Sequence, residues 1–170
     1  MQPAPAAPIR SATPDDLPGI FAIYDPEVLA GTATFETVPK PLRERIDWFN
    51  AHASPRHPLL VADAGSMIAG WAGGSRWSPR PAYDRAIETS VYIHPDHRGQ
   101  GVGRRLMLEL IARCRAAGAG VLLARIVEGN PASLALHESL GFQTVGITRR
   151  IGEKFGRILD VRIMDLHLNL

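Results

Sequence analysis

Apolar and polar positions follow two patterns along the 170-residue chain. Some short stretches are rich in β-branched and other apolar residues, which is typical of buried strands. Others carry apolar residues three or four positions apart, which is typical of helices that pack on one side. In chain order these patterns predict β, α, α, β, β, β, α, β, α, β, β. The predicted strands are 9–12, 59–64, 67–73, 86–93, 121–127, 142–148 and 160–168.

Several predicted strands follow one another with no helix between them. We therefore expect an α/β (α+β) fold, with a mixed, largely antiparallel central sheet and helices on both faces. Two strand–turn–helix units occur in series, at 99–103 and at Asn130, the expected N-cap of its helix. If their strands are parallel neighbours, both helices point their N-termini into one crevice. We expect a flexible leader at 1–8 and a single domain at 9–170.

Prolines and basic residues set the expected boundaries elsewhere. Pro26 is expected to end or kink the first helix, because proline lacks an N–H and its ring clashes with the preceding turn. The stretch 30–38 is then a loop, in which Phe35 either caps the core or overhangs a substrate pocket. The basic stretch 149–159 is expected to connect the last two strands.

A glycine-rich turn follows the strand at 86–93. Pro95 ends that strand, and a helix begins after Gly99, Gly101 and Gly103. Glycines let the main chain bend tightly and let a ligand touch the amides. The first helical turn adds free N–H groups and the positive end of the dipole. Such a turn binds an anion, most naturally a phosphate. Arginines add positive charge at its rim, namely Arg98, Arg104 and Arg105.

Two common phosphate loops do not fit this turn. A Walker loop requires Gly-Lys-Ser/Thr at its end, but Arg104 follows Gly103. In a dinucleotide fingerprint counted from Gly99 or from Gly101, the third glycine falls on Arg104 or on Leu106. A glycine-rich turn that binds no ligand remains the alternative.

Composition narrows the function classes. The apolar fraction of 45% is ordinary for a soluble globular protein, and the net charge of +2 gives little reason to expect a nucleic acid partner. No stretch approaches the ~20 apolar residues of a membrane span. Cys114 is the one cysteine, which excludes an internal disulfide and fits a reducing, cytoplasmic location. It lies on an apolar helical stripe, so we expect it to be an inert core residue. We expect no metal site, because metal-ligand spacing is missing among His52, His94 and His97.

The glycine turn also carries a resemblance. Arg98-Gly99-Gln100-Gly101-Val102-Gly103 is a form of Gln/Arg-x-x-Gly-x-Gly/Ala and resembles the pyrophosphate loop of the GNAT superfamily of N-acetyltransferases. Blocks at 77–84, 87–93, 130–142 and 154–157 are similar to the phosphinothricin and methionine sulfone (sulfoximine) acetyltransferases. The resemblance covers nearly the whole chain. It implies the GNAT fold, acetyl-CoA as cosubstrate, a small amino acid or analogue acetylated on its α-amino group, and a homodimer.

The resemblance also implies roles for individual residues. The acetyl and pantetheine arm is assigned to Val91, Tyr92 and Ile93. The pyrophosphate is assigned to Arg98, Gly99, Gln100, Gly101, Val102 and Gly103, and the rest of CoA to Asn130 and Ser133. We expect the acceptor to contact Phe35, Arg80, Tyr83 and Glu88, although Arg80 is equally well explained as a surface arginine.

The chemistry of acetyl transfer requires a base. A thioester is already activated, but an α-ammonium group must lose a proton before it attacks, and the oxyanion must be stabilised. Glu88 is the first candidate, because strand alternation turns it away from Ile87 and Thr89. The alternative is a structural carboxylate paired with Arg85 or Arg125.

His137 is the second catalytic candidate. It lies one helical turn beyond Ser133, on the side of the cofactor turn. A neutral imidazole there would assist proton transfer or stabilise the leaving thiolate. The alternative is a histidine with a purely structural role.

Two departures from the family pattern leave the acceptor open. Ile158 stands where members often carry Trp, and Asp25-Pro26 follows Ile-Tyr where Asn is common. One rival function is acetylation of a protein N-terminus or lysine, which requires a groove between 76–85 and 149–159. Another is a non-catalytic acyl-CoA-binding regulatory module.

Overall fold

The computed structural model describes residues 7–52 and 54–168. Within those residues seven strands form one sheet in the order β1-β2-β3-β4-β5-β7-β6. The strands are β1 (Ile9–Ser11), β2 (Leu59–Asp63), β3 (Ile68–Arg76), β4 (Ala86–Ile93), β5 (Val121–Val127), β6 (Gln143–Lys154) and β7 (Arg157–His167). The α-helices are α1 (Leu17–Leu29), α2 (Leu42–Ala51), α3 (Val102–Ala116) and α4 (Pro131–Ser139).

The predicted element order and fold class are confirmed. Neighbouring strands are antiparallel except for β4 and β5, which run parallel. Helix α3 packs on one face of the sheet, where its apolar stripe joins the larger core, and α1 packs on the other face with Trp71. Cys114 is fully buried in the larger core, and this burial raises the pKa of its thiol to about 11.

The last two strands are longer than the sequence pattern predicts. The stretch 149–159, expected to be a connection, is part of a long β6–β7 hairpin instead. Its turn consists of Phe155 and Gly156, both with positive φ (53° and 69°), as a two-residue hairpin turn requires. Phenylalanine is unusual at such a position, so the turn carries no recognisable sequence signal.

Pro26 does not end the first helix, one of the two outcomes expected of it, because α1 continues to Leu29. The proline lies in the last turn, where its missing N–H removes only one helical hydrogen bond. Its carbonyl still accepts a hydrogen bond from the N–H of Ala30 at 2.9 Å. Helix α1 therefore leads directly into the loop 30–38, which begins where it was expected.

The N-terminal end of the described chain is tied to the domain. Of the predicted leader, residues 1–6 lie outside the described residues. The carbonyl of Ala7 accepts a hydrogen bond from Arg105 Nη1 at 2.6 Å, and the carbonyl of Pro8 accepts one from the Asp63 N–H at 2.9 Å.

Strands β4 and β5 part soon after they begin. They pair only at Ala86, Ile87 and Glu88, opposite Val121, Leu122 and Leu123. Beyond that point β4 stays paired with β3 as far as Ile93, and β5 stays paired with β7 as far as Val127. The gap opens towards the N-termini of α3 and α4, which confirms the expected shared crevice.

Candidate active site

The gap between β4 and β5 is the mouth of a cleft of about 1220 Å³. Most of the residues singled out in the sequence line it. They are Phe35, Glu88, Val91, Tyr92, Ile93, Arg98, Gly99, Gly101, Val102, Gly103, Asn130, Ser133 and His137. Gln100, Arg80 and Tyr83 do not line it; Gln100 bonds the carbonyl of Asp96, and the other two lie at an exposed turn after β3.

The three glycines of the turn have different roles. Gly99 and Gly101 have positive φ (72° and 75°) and line the cleft, and a Cβ on either would meet no atom within 4 Å. Gly101 is also the N-cap of α3. A Cβ at Gly103 would lie 3.3 Å from Leu136, so this glycine serves the close packing of α3 against α4. The turn and the N-terminus of α3 therefore border the cleft, an arrangement that suits an anion.

The arginines near the turn are placed differently. Arg104 lines the cleft, whereas Arg105 is held away by the Ala7 carbonyl. Arg98 lines the cleft as expected, and its guanidinium bonds the carbonyl of Ile93 at 3.2 Å and the carboxylate of Glu27 at 3.1 Å. Positive charge at the rim thus comes from Arg98 and Arg104.

The second turn has the predicted cap. Asn130 Oδ1 accepts a hydrogen bond from the N–H of Ser133 at 3.1 Å, and Pro131 begins α4. Asn130 and Ser133 both line the cleft. The two helix N-termini therefore lie on the same side of the parted strands.

Glu88 lies in the cleft, with 16% of its side chain exposed, and forms an ion pair with Arg125. Arg125 Nε and Nη2 donate to the two carboxylate oxygens at 2.6 and 2.5 Å. This hydrogen bonding raises the pKa of the Arg125 guanidinium. Of the two structural partners considered for Glu88, the structure has Arg125. Glu88 is thus both a cleft residue and half of an ion pair.

His137 is 3% exposed and packs edge-on against Phe142. Its Nδ1 lies 2.8 Å from the carbonyl oxygen of Ser133. Because a carbonyl only accepts, this contact assigns the proton to Nδ1 and leaves Nε2 with a free lone pair. Burial lowers the pKa of His137, so the imidazole is neutral near pH 7.

The loop 30–38 overhangs the cleft, and we call it the roof. Lys154 Nζ donates to the carbonyls of Thr34 (2.8 Å) and Glu27 (3.0 Å), and the Tyr92 hydroxyl donates to the carbonyl of Ala33 at 3.1 Å. Phe35 lies directly over Gly152, where any Cβ would overlap its ring. The roof therefore takes its position from the β6–β7 hairpin.

A smaller aromatic recess of about 260 Å³ adjoins the cleft. The two share four residues, and the recess is lined by Tyr24, Trp48, His52, Trp71, Ser75, Ser90 and Tyr92. The Trp71 ring stacks on Tyr92 with centroids 4.9 Å apart. Its Nε1 is buried without a hydrogen-bond partner among the described residues. The recess is lined mainly by aromatic rings and can therefore hold a small apolar group.

Sequence reasoning missed Trp77 and the recess. Tyr24 lies in α1 and Trp71 in β3, and neither residue carries a sequence signal for a shared recess. Arg125 was considered only as a structural partner of Glu88. The guanidinium of Arg125 lies over the Trp77 ring, 5.3 Å from its centroid, and both residues line the cleft.

Two other features, a metal site and a membrane-spanning helix, are absent from the described residues. Among residues 7–52 and 54–168, no group of three His, Cys, Asp or Glu side chains is placed to hold a metal ion. No helix in the same residues is both long and apolar enough to cross a membrane.

Comparison with known proteins gives consistent matches. The profile of the acetyltransferase (GNAT) family matches residues 17–142. An L-methionine sulfoximine/L-methionine sulfone acetyltransferase from Pseudomonas paraeruginosa is 43% identical over 165 residues, covering 96% of each chain.

Solved structures agree with the sequence matches. A GNAT superfamily phosphinothricin acetyltransferase from Sinorhizobium meliloti, in complex with AcCoA, is 37% identical with a TM-score of 0.91, covering 96% of this chain and 89% of that one. A ribosomal-protein-alanine N-acetyltransferase from Brucella melitensis is also 37% identical with a TM-score of 0.91, covering 95% and 99%. The chain belongs to the GNAT family of acetyltransferases.

Proposed function

We propose that this protein transfers the acetyl group of acetyl-CoA directly to the α-amino group of a small amino acid or analogue. The observation that carries the proposal is the single cleft in which an anion-binding turn, a parted strand edge and a carboxylate meet. The relatives named above act on methionine sulfoximine, methionine sulfone and phosphinothricin. Acceptors of that kind are the first choice here.

The turn fits the coenzyme. The open amides of Gly99 and Gly101, the α3 N-terminus, Arg98 and Arg104 would hold its pyrophosphate. The edge of β4 at Val91–Ile93, which β5 leaves free, would hold the thioester arm through main-chain groups. Acetyl-CoA supplies the activated acetyl group, so no residue has to form a covalent intermediate.

Glu88 and His137 are the residues that would accept protons during the reaction. Glu88 is placed to accept the proton of the acceptor's ammonium group, directly or through a water. His137, with Nδ1 bound to the Ser133 carbonyl, offers only the lone pair of Nε2. This tautomer favours accepting a proton over stabilising the departing thiolate, because it leaves no N–H for the sulfur.

The aromatic recess would take the acceptor's side chain. Methyl sulfone, methyl sulfoximine and methyl phosphinate groups each combine an apolar methyl with strongly accepting oxygens. The rings of Tyr24, Trp48 and Tyr92 suit the methyl, and the hydroxyls of Ser75 and Ser90, which also line the recess, suit an oxygen. The departures at Ile158 and Asp25 lie outside the residues that line the recess.

The Brucella structure favours a second candidate, a protein N-terminus as acceptor. A peptide acceptor would need a groove between 76–85 and 149–159. The second of these stretches is strand and turn, and its Lys154 holds the roof through the carbonyl of Thr34. A cleft covered by the roof suits a small acceptor better than a peptide.

Two further properties belong to the proposal. We place the protein in the cytoplasm, which its single buried thiol fits and which cell fractionation would test.

We also propose a homodimer formed through the β6–β7 hairpin. This hairpin ends the sheet and exposes five large apolar side chains: Val145, Ile147, Ile151, Phe155 and Ile158. Such a row on a sheet edge is typical of an interface.

The function itself is tested by an acceptor screen that reads the release of free thiol from acetyl-CoA. We expect turnover with methionine sulfone, methionine sulfoximine or phosphinothricin, and little with a peptide carrying an alanine N-terminus. Preference for the peptide would favour the second candidate. Coenzyme binding by calorimetry without turnover of any amine would show a non-catalytic acyl-CoA-binding module.

Gly101→Ala tests the anion-binding turn, with Gly65→Ala as its control. Both glycines have positive φ (75° and 84°) and open space around a Cβ, so both variants should lose about 1 kcal/mol of unfolding free energy. Only Gly101→Ala should weaken CoA binding, by roughly tenfold or more, because its methyl lies where the phosphate approaches. Equal calorimetric affinities in the two variants would refute the assignment.

Glu88→Gln tests the base, with Glu128→Gln as its control. Glu128 forms a similar two-point pair with Arg162 (2.7 and 3.2 Å) but does not line the cleft. We expect kcat to fall by about 10²–10⁴-fold in Glu88→Gln while acetyl-CoA affinity is kept. The control should keep its kcat. An unaltered rate and pH profile in Glu88→Gln would exclude Glu88 as the base.

Val145→Glu tests the dimer, with Val38→Glu as its control. Both valines are exposed, at 61% and 71%, but only Val145 lies on the hairpin. In sedimentation velocity we expect wild type and Val38→Glu at twice the chain mass of 18.5 kDa, and Val145→Glu at the chain mass. A wild-type monomer at micromolar concentration would rule out the dimer.

A further inference from the structure

The ion pair between Glu88 and Arg125 blocks the proposed base in the free protein. Each carboxylate oxygen of Glu88 accepts one short hydrogen bond from the guanidinium. The guanidinium therefore occupies both oxygens, in the position that an ammonium group would need to take. Something must occupy Arg125 in its place before Glu88 can act on an amine.

Arg125 is suited to exchange partners. Its side chain is 55% exposed, in contrast to 16% for Glu88, and it lies on β5 just beyond the last residue paired with β4. Its guanidinium also lies over the ring of Trp77, a contact that does not involve Glu88. After loss of the Glu88 contact, the guanidinium therefore keeps its contact with Trp77, and both residues line the cleft.

An α-amino acid is itself a close pair of opposite charges. Its carboxylate can take the two N–H groups of Arg125, and its ammonium group can take the oxygens of Glu88. Both charges of the separated ion pair are then matched again, so the exchange leaves no buried charge without a partner. An amine without a neighbouring anion cannot replace both partners, because it has no carboxylate for Arg125, which therefore stays paired with Glu88.

We propose that Arg125 is a substrate-binding residue that recognises the α-carboxylate of the acceptor and thereby releases Glu88. This rests on the proposed function. Once released, Glu88 accepts one proton from the acceptor's ammonium nitrogen, and the neutral amine then attacks the acetyl carbonyl. The N–C bond forms, the C–S bond of the thioester breaks, and the nitrogen's second proton passes to the departing thiolate, so that CoA leaves as the free thiol. Arg125 thus couples recognition of the carboxylate to activation of the base, and it selects amino acids over simple amines.

The test compares methionine sulfone with its methyl ester, which keeps the amine and the side chain but lacks the negative charge. The kcat/KM ratio of acid to ester is measured for wild type, Arg125→Gln, Arg125→Lys and Arg162→Gln. Differences in amine basicity between acid and ester cancel when these ratios are compared between proteins. Arg162→Gln removes the arginine of the similar pair with Glu128, outside the cleft.

We expect the acid-to-ester ratio of kcat/KM to be about 100 or more in wild type and in Arg162→Gln, because the ester leaves Arg125 paired with Glu88. In Arg125→Gln the ratio should fall at least tenfold, mainly through a higher KM for the acid. Arg125→Lys should restore part of the ratio, since a point charge keeps the attraction but not the two-point geometry. Calorimetric titration of the acid into each protein should show the same order of affinities.

A ratio in Arg125→Gln equal to that of wild type, with a normal melting temperature, would overturn the proposal and leave the acetyltransferase function standing. If wild type released thiol with neither acid nor ester, the proposed acceptor class itself would have failed. A melting temperature lowered in Arg125→Gln but not in Arg125→Lys would point to a structural pair only, provided that the acid-to-ester ratio stays constant.

Discussion

The early parting of β4 and β5 is the constraint on which the rest of the site depends. A parallel pair normally continues its hydrogen-bond ladder, but here it ends at Glu88 and Leu123. Each strand keeps its other partner, so the sheet stays whole while one edge of each strand loses its ladder. Main-chain groups on such edges need partners, which water or a ligand must supply. The fold thereby builds a slot for an extended molecule with its own amides, as the arm of acetyl-CoA has, and it directs two helix N-termini to the mouth of the slot.

The walls of the cleft depend on contacts between distant parts of the chain. Lys154 lies 120 residues beyond Thr34, yet its ammonium group bonds the Thr34 carbonyl and fixes the roof. Burial lowers the pKa of Lys154, a cost that two carbonyls offset by hydrogen bonding: that of Glu27 in the last turn of α1 and that of Thr34 in the roof. The roof takes its position from the hairpin that we propose as the dimer interface. Formation of a dimer would therefore stabilise the acceptor side of the cleft, because it would immobilise the hairpin.

Sequence patterns predicted the elements that depend on local forces. The bounds of β4 and β5 agree with the expected 86–93 and 121–127, and Asn130 caps α4 as predicted. Elements that depend on rare conformations or on distant contacts were not predictable in this way. The hairpin turn places Phe155 at positive φ, which has no sequence signal, and Pro26 is tolerated because it lies in the last helical turn. The aromatic recess was missed for a related reason: Trp71 and Tyr24 come from different elements, and only tertiary packing brings them together around a space.

The pair of Glu88 and Arg125 shows why a structural role and a chemical role need not exclude each other. Without the guanidinium, a largely buried carboxylate facing the cleft would carry an uncompensated charge, which is costly. With the guanidinium in place, the charge of the carboxylate is compensated, but both of its oxygens are occupied and cannot contact an amine. An acceptor with its own carboxylate reverses this balance, since it provides Arg125 with a new anion and Glu88 with a new cation in the same step. In the proposed mechanism, the interaction that stabilises the empty cleft is therefore the one that the correct acceptor replaces, and an amine without an anion meets a base that is still blocked.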